Sequence, residues 1–412
     1  MYNVKKNSIK KLILLLIILL FTFNFVQTIE SFMIGYARTS HIEINANQTT
    51  GGLNQNVEDI LNNINNGDLN DLLNDLDGYG LGVFGSRNFM DTLRAIIAGE
   101  DIGDFNSVFG FLINIFFSDL VRMLPFILAI LGICATFSII SSVKGGFSSD
   151  SVENIIRFAC VSLISVILFS QIFSIISSTA SVVNNLTRQI NIVFPLILTM
   201  MAASGAVSTA ASYTPAVAIL GQILTTIILT IALPTFILSI VFDVVGNLSD
   251  TVRLKKLSSF FSSTLKWVMG TAFFVFLAFL SVRGITASVR DTISLRTARF
   301  AINNYVPIIG GYLSEGMNLI MAGSTIVKNA IGFAAIILLL VTIAPLVINI
   351  MVLSLSLSLL GAIIEPFNIN GVSDILTSVS KSLKSLLSII LGISFLYFIF
   401  LMLTINTGNM LI

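Results

Sequence analysis

"QINIVFPLILTMMAASGAVSTAASYTPAVAILGQILTTIILTIALPTFILSIVF", residues 189–242, runs for 54 residues without a charged side chain and contains Pro195, Pro215 and Pro234. One bilayer crossing takes about 20 apolar residues. The run is too long for a single span and must fold back at least once. Within it, the small residues of "MAASGAVSTAAS", 201–212, allow close helix approach. This stretch makes the chain a polytopic helical membrane protein.

Composition agrees. The chain has 412 residues, 55% hydrophobic and only 10% charged, with a mean hydropathy of +0.96, where a soluble domain carries about 25% charged residues. The net charge of +1 leaves no basic surface for phosphates, which excludes a nucleic-acid role. Cys134 and Cys160 both lie in apolar runs and read as small core residues, because a disulfide framework needs several cysteines in a polar, secreted segment. His41, the sole histidine, has no neighbours at metal-ligand spacing, so no zinc site assembles around it. No metal, cofactor or catalytic residue is expected. There is no HExxH, P-loop or GxSxG pattern, and no pair of acids within spans for an aspartyl protease.

Three regions follow from the charge pattern. Residues 1–37 read as an export signal or uncleaved anchor: Lys5, Lys6, Lys10 and Lys11 precede the apolar run 12–26, with a candidate cleavage site after Ala37. Residues 38–104 hold eleven of the chain's 21 acidic residues against Arg38, Arg87 and Arg94. Val57, Ile60, Leu61 and Ile64 recur there at amphipathic-helix spacing, and Leu69, Leu72, Leu73 and Leu76 repeat it after Gly67. This predicts an acidic, helical, extracytoplasmic region that packs on the membrane domain or on a partner. Residues 105–412 form the membrane domain, with uncharged stretches at 123–143, 158–187, 189–242, 267–282, 329–364 and 385–412.

The membrane domain also repeats. Spans enter through Pro125, Pro234 and Pro345, spaced by 109 and 111 residues. After each comes a Ser-rich link and a second span. After the first two units comes a short proline-bearing piece, around Pro195 and around Pro307, offset by 112 residues. The expected architecture is all-α, with about six transmembrane helices plus short proline-entered re-entrant or half-helix segments in ~110-residue repeats. Whether the short pieces cross the membrane stays open. The re-entrant reading puts the basic link at 243–266 inside, as the positive-inside rule asks, but it leaves Arg283, Arg290, Arg296 and Arg299 outside. Those arginines read alternatively as an interfacial helix.

Candidate functional positions come from "YVPIIGGYLSEGMN", 305–318. Ionisable groups at membrane depth are expensive and tend to be functional, which singles out Glu315. Broken backbone at that depth survives only when it is buried in protein or lines water. Pro195, Pro307, Gly310, Gly311, Glu315 and Gly316 are therefore candidate pore or re-entrant residues, and Asp243, Glu365 and Pro366 are candidate hinge or span-end residues. Interface capping by Glu315 is the plainer alternative.

"SSVKGGFSSDSVENIIRF" (141–158), "FPLILTMMAASG" (194–205), "YTPAVAIL" (213–220) and "YVPIIGGYLSEGMN" make the chain resemble the stage III sporulation protein AE family of endospore-forming Firmicutes. The resemblance covers essentially the whole chain. It implies a multi-pass protein of the mother-cell-derived outer forespore membrane, working with other subunits of the stage III membrane complex. That complex includes ring-forming proteins and a secretion-type ATPase, and it supports the forespore after engulfment. The resemblance carries no catalytic residues to transfer. The competing expectation is a self-sufficient secondary transporter that uses Glu315 as a coupling acid; a purely structural scaffold is a third.

Overall fold

The computed structural model describes residues 49–62, 89–98, 105–142, 150–248, 254–305, 310–367 and 371–407. The signal segment 1–37, the leucine repeat at 69–76 and Pro307 lie outside the described residues. Met1–Asn54 and Gln55–Ile412 are two compact units, and the long helices all belong to the second.

Apart from the turn at 204–206 and single residues at helix ends, everything described there is helical. Two short helices, α1 (Thr49–Asn62) and α2 (Phe89–Ala98), precede long ones: α3 (Phe105–Ser142) and α4 (Asp150–Ala203). A continuous rod follows, made of α5 (Val207–Ala218), a π-helical segment (Ile219–Leu224), one α-turn (Thr225–Ile227), a second π segment (Ile228–Ala232) and α6 (Leu233–Leu248). Then come α7 (Lys255–Tyr305), α8 (Gly310–Ile364), a 3-10 turn (Glu365–Phe367) and α9 (Val372–Asn406).

Among the described residues, six helices are long and apolar enough to cross a membrane: Leu112–Ile140, Ile155–Ala203, Val207–Gly246, Lys256–Ser281, Leu313–Ile364 and Val372–Asn406. At 1.5 Å per residue, the 54 residues of α4 and 55 of α8 each reach about 80 Å, against a hydrocarbon core of about 30 Å. These helices outrun a straight crossing. Arg283, Arg290, Arg296 and Arg299 lie on α7 beyond its apolar span, which ends at Ser281.

The hub is α8, which packs on α9, α4, α3, α7 and α2. In its apolar window 61% of residues are buried inside the molecule, against 22% for the α7 span, so α8 is the central helix and α7 a peripheral one. Glycines set the closest approaches. A Cβ on Gly332 would lie 2.3 Å from Ile405 Cγ1 of α9, and one on Gly392 would lie 2.3 Å from Phe273 Cε2 of α7. Serines staple the hairpins. Ser239 of α6 meets Ser258 of α7 at 3.4 Å, and Ser354 of α8 meets Ser380 of α9 at 3.0 Å. In the middle, Phe194 of α4 stacks on Phe400 of α9 with centroids 4.4 Å apart, while Tyr213 and Phe276 meet Phe400 edge-on. This aromatic cluster fills the space between four helices.

The long uncharged run folds back once, at Ser204-Gly205-Ala206. Ala206 N–H donates to the Met201 carbonyl and Gly205 N–H to that of Ala202, both at 3.0 Å, with Gly205 at φ +95°. That pairing is a Schellman ending with glycine at its left-handed position. Pro195, expected in a separate short piece, instead lies inside the unbroken α4. The carbonyl that loses its N–H partner is that of Asn191, four residues back, and apolar helices absorb a proline when neighbouring groups or small backbone adjustments serve such a carbonyl. The Pro195 carbonyl itself accepts the Thr199 hydroxyl at 2.8 Å. The second stretch differs, since residues 300–305 end α7 and residue 310 begins α8. Pro125, Pro234 and Pro345 lie in α3, α6 and α8, each the first helix of a helix–link–helix pair.

Candidate functional site

The expected residues do not converge. Gly310 and Gly311 open α8, and Glu315 is exposed in its second turn, with nothing near Gly316. Pro195 is 115 positions and a helix pair away in the chain from Gly310, exposed on α4. Asp243 is half-buried on α6 and accepts the Ser382 hydroxyl of α9 at 3.3 Å. Glu365 and Pro366 are exposed in the 3-10 turn after α8. Cys134 and Cys160 are buried free thiols on α3 and α4, in side-chain contact with one another. Among the described residues, no group of three His, Cys, Asp or Glu side chains is placed to hold a metal.

Three buried polar residues stand out that the sequence reading passed over. Lys328 of α8 is fully buried, and its ammonium donates to the Thr407 carbonyl at 2.7 Å. Thr407 is the C-cap of α9, where unpaired carbonyls and the negative end of the helix dipole favour a cation. Asp291 of α7 is 2% exposed and accepts the backbone N–H groups of Ser208 and Thr209 at 2.7 and 2.9 Å, and the Thr209 hydroxyl at 2.6 Å. The N-cap residue of α5 is Ala206, which has no side-chain acceptor. Asp291 therefore does from another helix what a capping side chain does locally. Gln189 of α4 is fully buried and donates to the Thr342 hydroxyl of α8 at 2.5 Å, while its own amide oxygen has no partner in the structure.

Around Gln189, α4 and the antiparallel rod come together closely. The Thr187 and Thr225 hydroxyls meet at 2.5 Å, and Asn191 Oδ1 lies 3.0 Å from where a Cβ on Gly221 would stand. The Thr225 and Thr226 hydroxyls bond back to the Gly221 and Gln222 carbonyls, the back-bonding that loosens a helix. The π segments flank this turn, and such widened turns recur at functional sites. A small, partly open cavity of about 10 Å³, lined by Thr187, Thr225 and Tyr397 among others, sits beneath. It has room for about one water. On the outer side, an open groove of about 670 Å³ runs between Asn191, Pro195 and Thr199 of α4 and Ala211, Thr214 and Ala218 of α5.

Comparison with known proteins supplies the identity that geometry leaves open. The sequence profile of the stage III sporulation protein AE family matches residues 87–408, and so covers all six candidate spans. The stage III sporulation protein AE of Bacillus subtilis (strain 168) is 24% identical over 273 residues, which is 66% of this chain and 68% of that protein. No solved structure matches. With more than half its length under the family profile, and with six helices long and apolar enough to span a membrane, the chain belongs to the stage III sporulation protein AE family.

Proposed function

We propose that this protein is a membrane subunit of the complex joining mother cell and engulfed forespore, and that it supports forespore development as part of a conduit or export platform. The observation that carries the reading is the family match over residues 87–408, which takes in the whole spanning region. The protein then resides in the mother-cell-derived outer forespore membrane, with residues 38–104 facing the space between the membranes and lipid and other stage III subunits as its partners. The packing of α1 and α2 against α8 supports this arrangement. A Cβ on Gly323 would make ordinary contacts with Ile60 and Val57, so residues 55–62 and α2 rest on α8 and leave Glu58, Asp59 and Asp91 exposed. The filled aromatic centre around Phe400 favours a subunit that shares a path with others over a pore within one chain. Deleting the gene tests the reading. Forespores should arrest after engulfment, and affinity capture of the full-length protein should recover other stage III subunits. Normal spore yield on deletion would overturn it.

A further inference from the structure

One side of the molecule has the wrong chemistry for lipid. On α4, Asn184, Arg188 and Asn191 recur at i, i+4 and i+7, and all three are exposed. Beside them, on the antiparallel rod, Gln222, Thr226 and Thr230 recur at i, i+4 and i+8, again all exposed. The two rows belong to one surface, because Asn191 sits against Gly221 and Thr187 meets Thr225 across the same seam. Their depth is set by the Gln189–Thr342 hydrogen bond, which makes them level with the Leu313–Ile364 span, the most apolar of the six at hydropathy 2.9.

Each side-chain amide has two donors and an acceptor that acyl chains cannot meet, and a guanidinium facing lipid is costlier still. A helical stripe of such groups marks a surface that meets water or polar protein. Arg188 is the single charge between residues 158 and 242. Tight self-packing of this face around a symmetry axis would set Arg188 against its own copies, and like charges in a dry interface repel, so water between the copies relieves what direct contact would not. The centre of the chain is closed by Phe194, Tyr213 and Phe400, while the groove beside Asn191 and Pro195 is open outward. One chain thus presents one wall, and rotation brings the same wall from each further copy.

We propose that this face of α4 and the α5–α6 rod is the wall of a water-filled path for small polar solutes, anions favoured by Arg188, completed by further copies of the chain. The proposal rests on the reading of the protein as a conduit subunit. It is tested in the full-length chain with Cys134 and Cys160 replaced by serine, carrying single cysteines in place of Asn184, Asn191, Gln222 or Thr226, in native membranes and in liposomes. Membrane-impermeant methanethiosulfonates, one cationic and one anionic, should modify these positions at least about tenfold faster than cysteines replacing the exposed Phe274 or Leu359, since only the thiolate reacts and lipid suppresses its ionisation. Arg188→Gln should lower the anionic-to-cationic rate ratio at position 191 several-fold. A short bis-maleimide should link the position-226 variant into multimers of this chain. Lane cysteines no more reactive than the two controls, or crosslinks solely to other proteins, would overturn the proposal. Fast labelling together with normal sporulation of the deletion strain would keep the wall and remove the conduit.

Discussion

Lys328 and Thr407 join the middle of the chain to its last described residue: the buried ammonium of one donates to the backbone carbonyl of the other at 2.7 Å. The bond ties the end of α9 to α8 one turn from the Gly332–Ile405 contact. A charge taken out of water is retained only where something compensates it, and here a helix C-terminus does so. Lys328→Met keeps the stem volume but removes both the charge and the donor to the Thr407 carbonyl, so it should cost about 1–2 kcal/mol in detergent. Lys328→Ala leaves a void and an unserved carbonyl and should cost about 2–4 kcal/mol. Thermal unfolding of both variants decides the point, and equal losses would refute the account.

Asp291 should be worth most to the neighbouring helix. Asp291→Ala removes three acceptor contacts from the start of α5 and should cost about 2–3 kcal/mol, with Asp291→Asn losing less. Limited proteolysis should open first near residues 204–209. Unchanged cleavage there would show that α5 does not depend on this cap.

Gly205 is constrained twice, by φ +95° and by a Cβ position 2.8 Å from Leu295 Cδ1. Gly205→Ala should destabilise by about 1–3 kcal/mol. Adding Leu295→Ala should relieve the clash but not the backbone penalty. A double-mutant cycle should therefore show partial, favourable coupling, and full rescue would mean that the conformation is not strained.

Arg94 of α2 reaches Glu58 of α1 at 3.1 Å, and the hydrogen bond and charge of Glu58 raise the guanidinium's pKa above its ordinary value. A basic group raised in the folded state stabilises at every pH below its unfolded value and loses that contribution only as pH climbs through the raised one. For arginine that window lies above about pH 12, so this cation should contribute no pH dependence between about pH 6 and 9. The pair is exposed at 42% and 50%, and Glu58→Gln should change stability by less than about 1 kcal/mol. Urea titrations at both ends of that pH range measure it.

Glu315→Gln separates the conduit from the self-sufficient transporter. The side chain is exposed in the second turn of α8, so a conduit subunit should sporulate normally with the amide. A transporter coupled through this acid should fail, and should also lose uptake in liposomes holding the purified chain alone. Heat-resistant spore counts settle the first half and flux assays the second.

Hydropathy along the chain was enough to establish a polytopic helical protein, the break in the 189–242 run, and the helical character of the acidic region around Val57–Leu61. Each of these depends on local composition and on a 3.6-residue period, which a single sequence displays. The polar anatomy depended on the tertiary structure. Lys328 reads as the border of an apolar stretch until α9 brings Thr407 beside it. Asp291 lies 82 residues from Thr209, and the one local hint, an alanine at the α5 N-cap, says only that a cap is missing. Pro195 reads as a break, yet α4 runs through it, because an apolar helix packed among others tolerates a proline. The exposed row of Asn184, Arg188 and Asn191 is periodic in the sequence, but only burial shows that the row faces outward. Hydropathy is a property of segments, whereas capping, pairing and exposure belong to segments distant in the chain, and their energies exist only once the helices have packed.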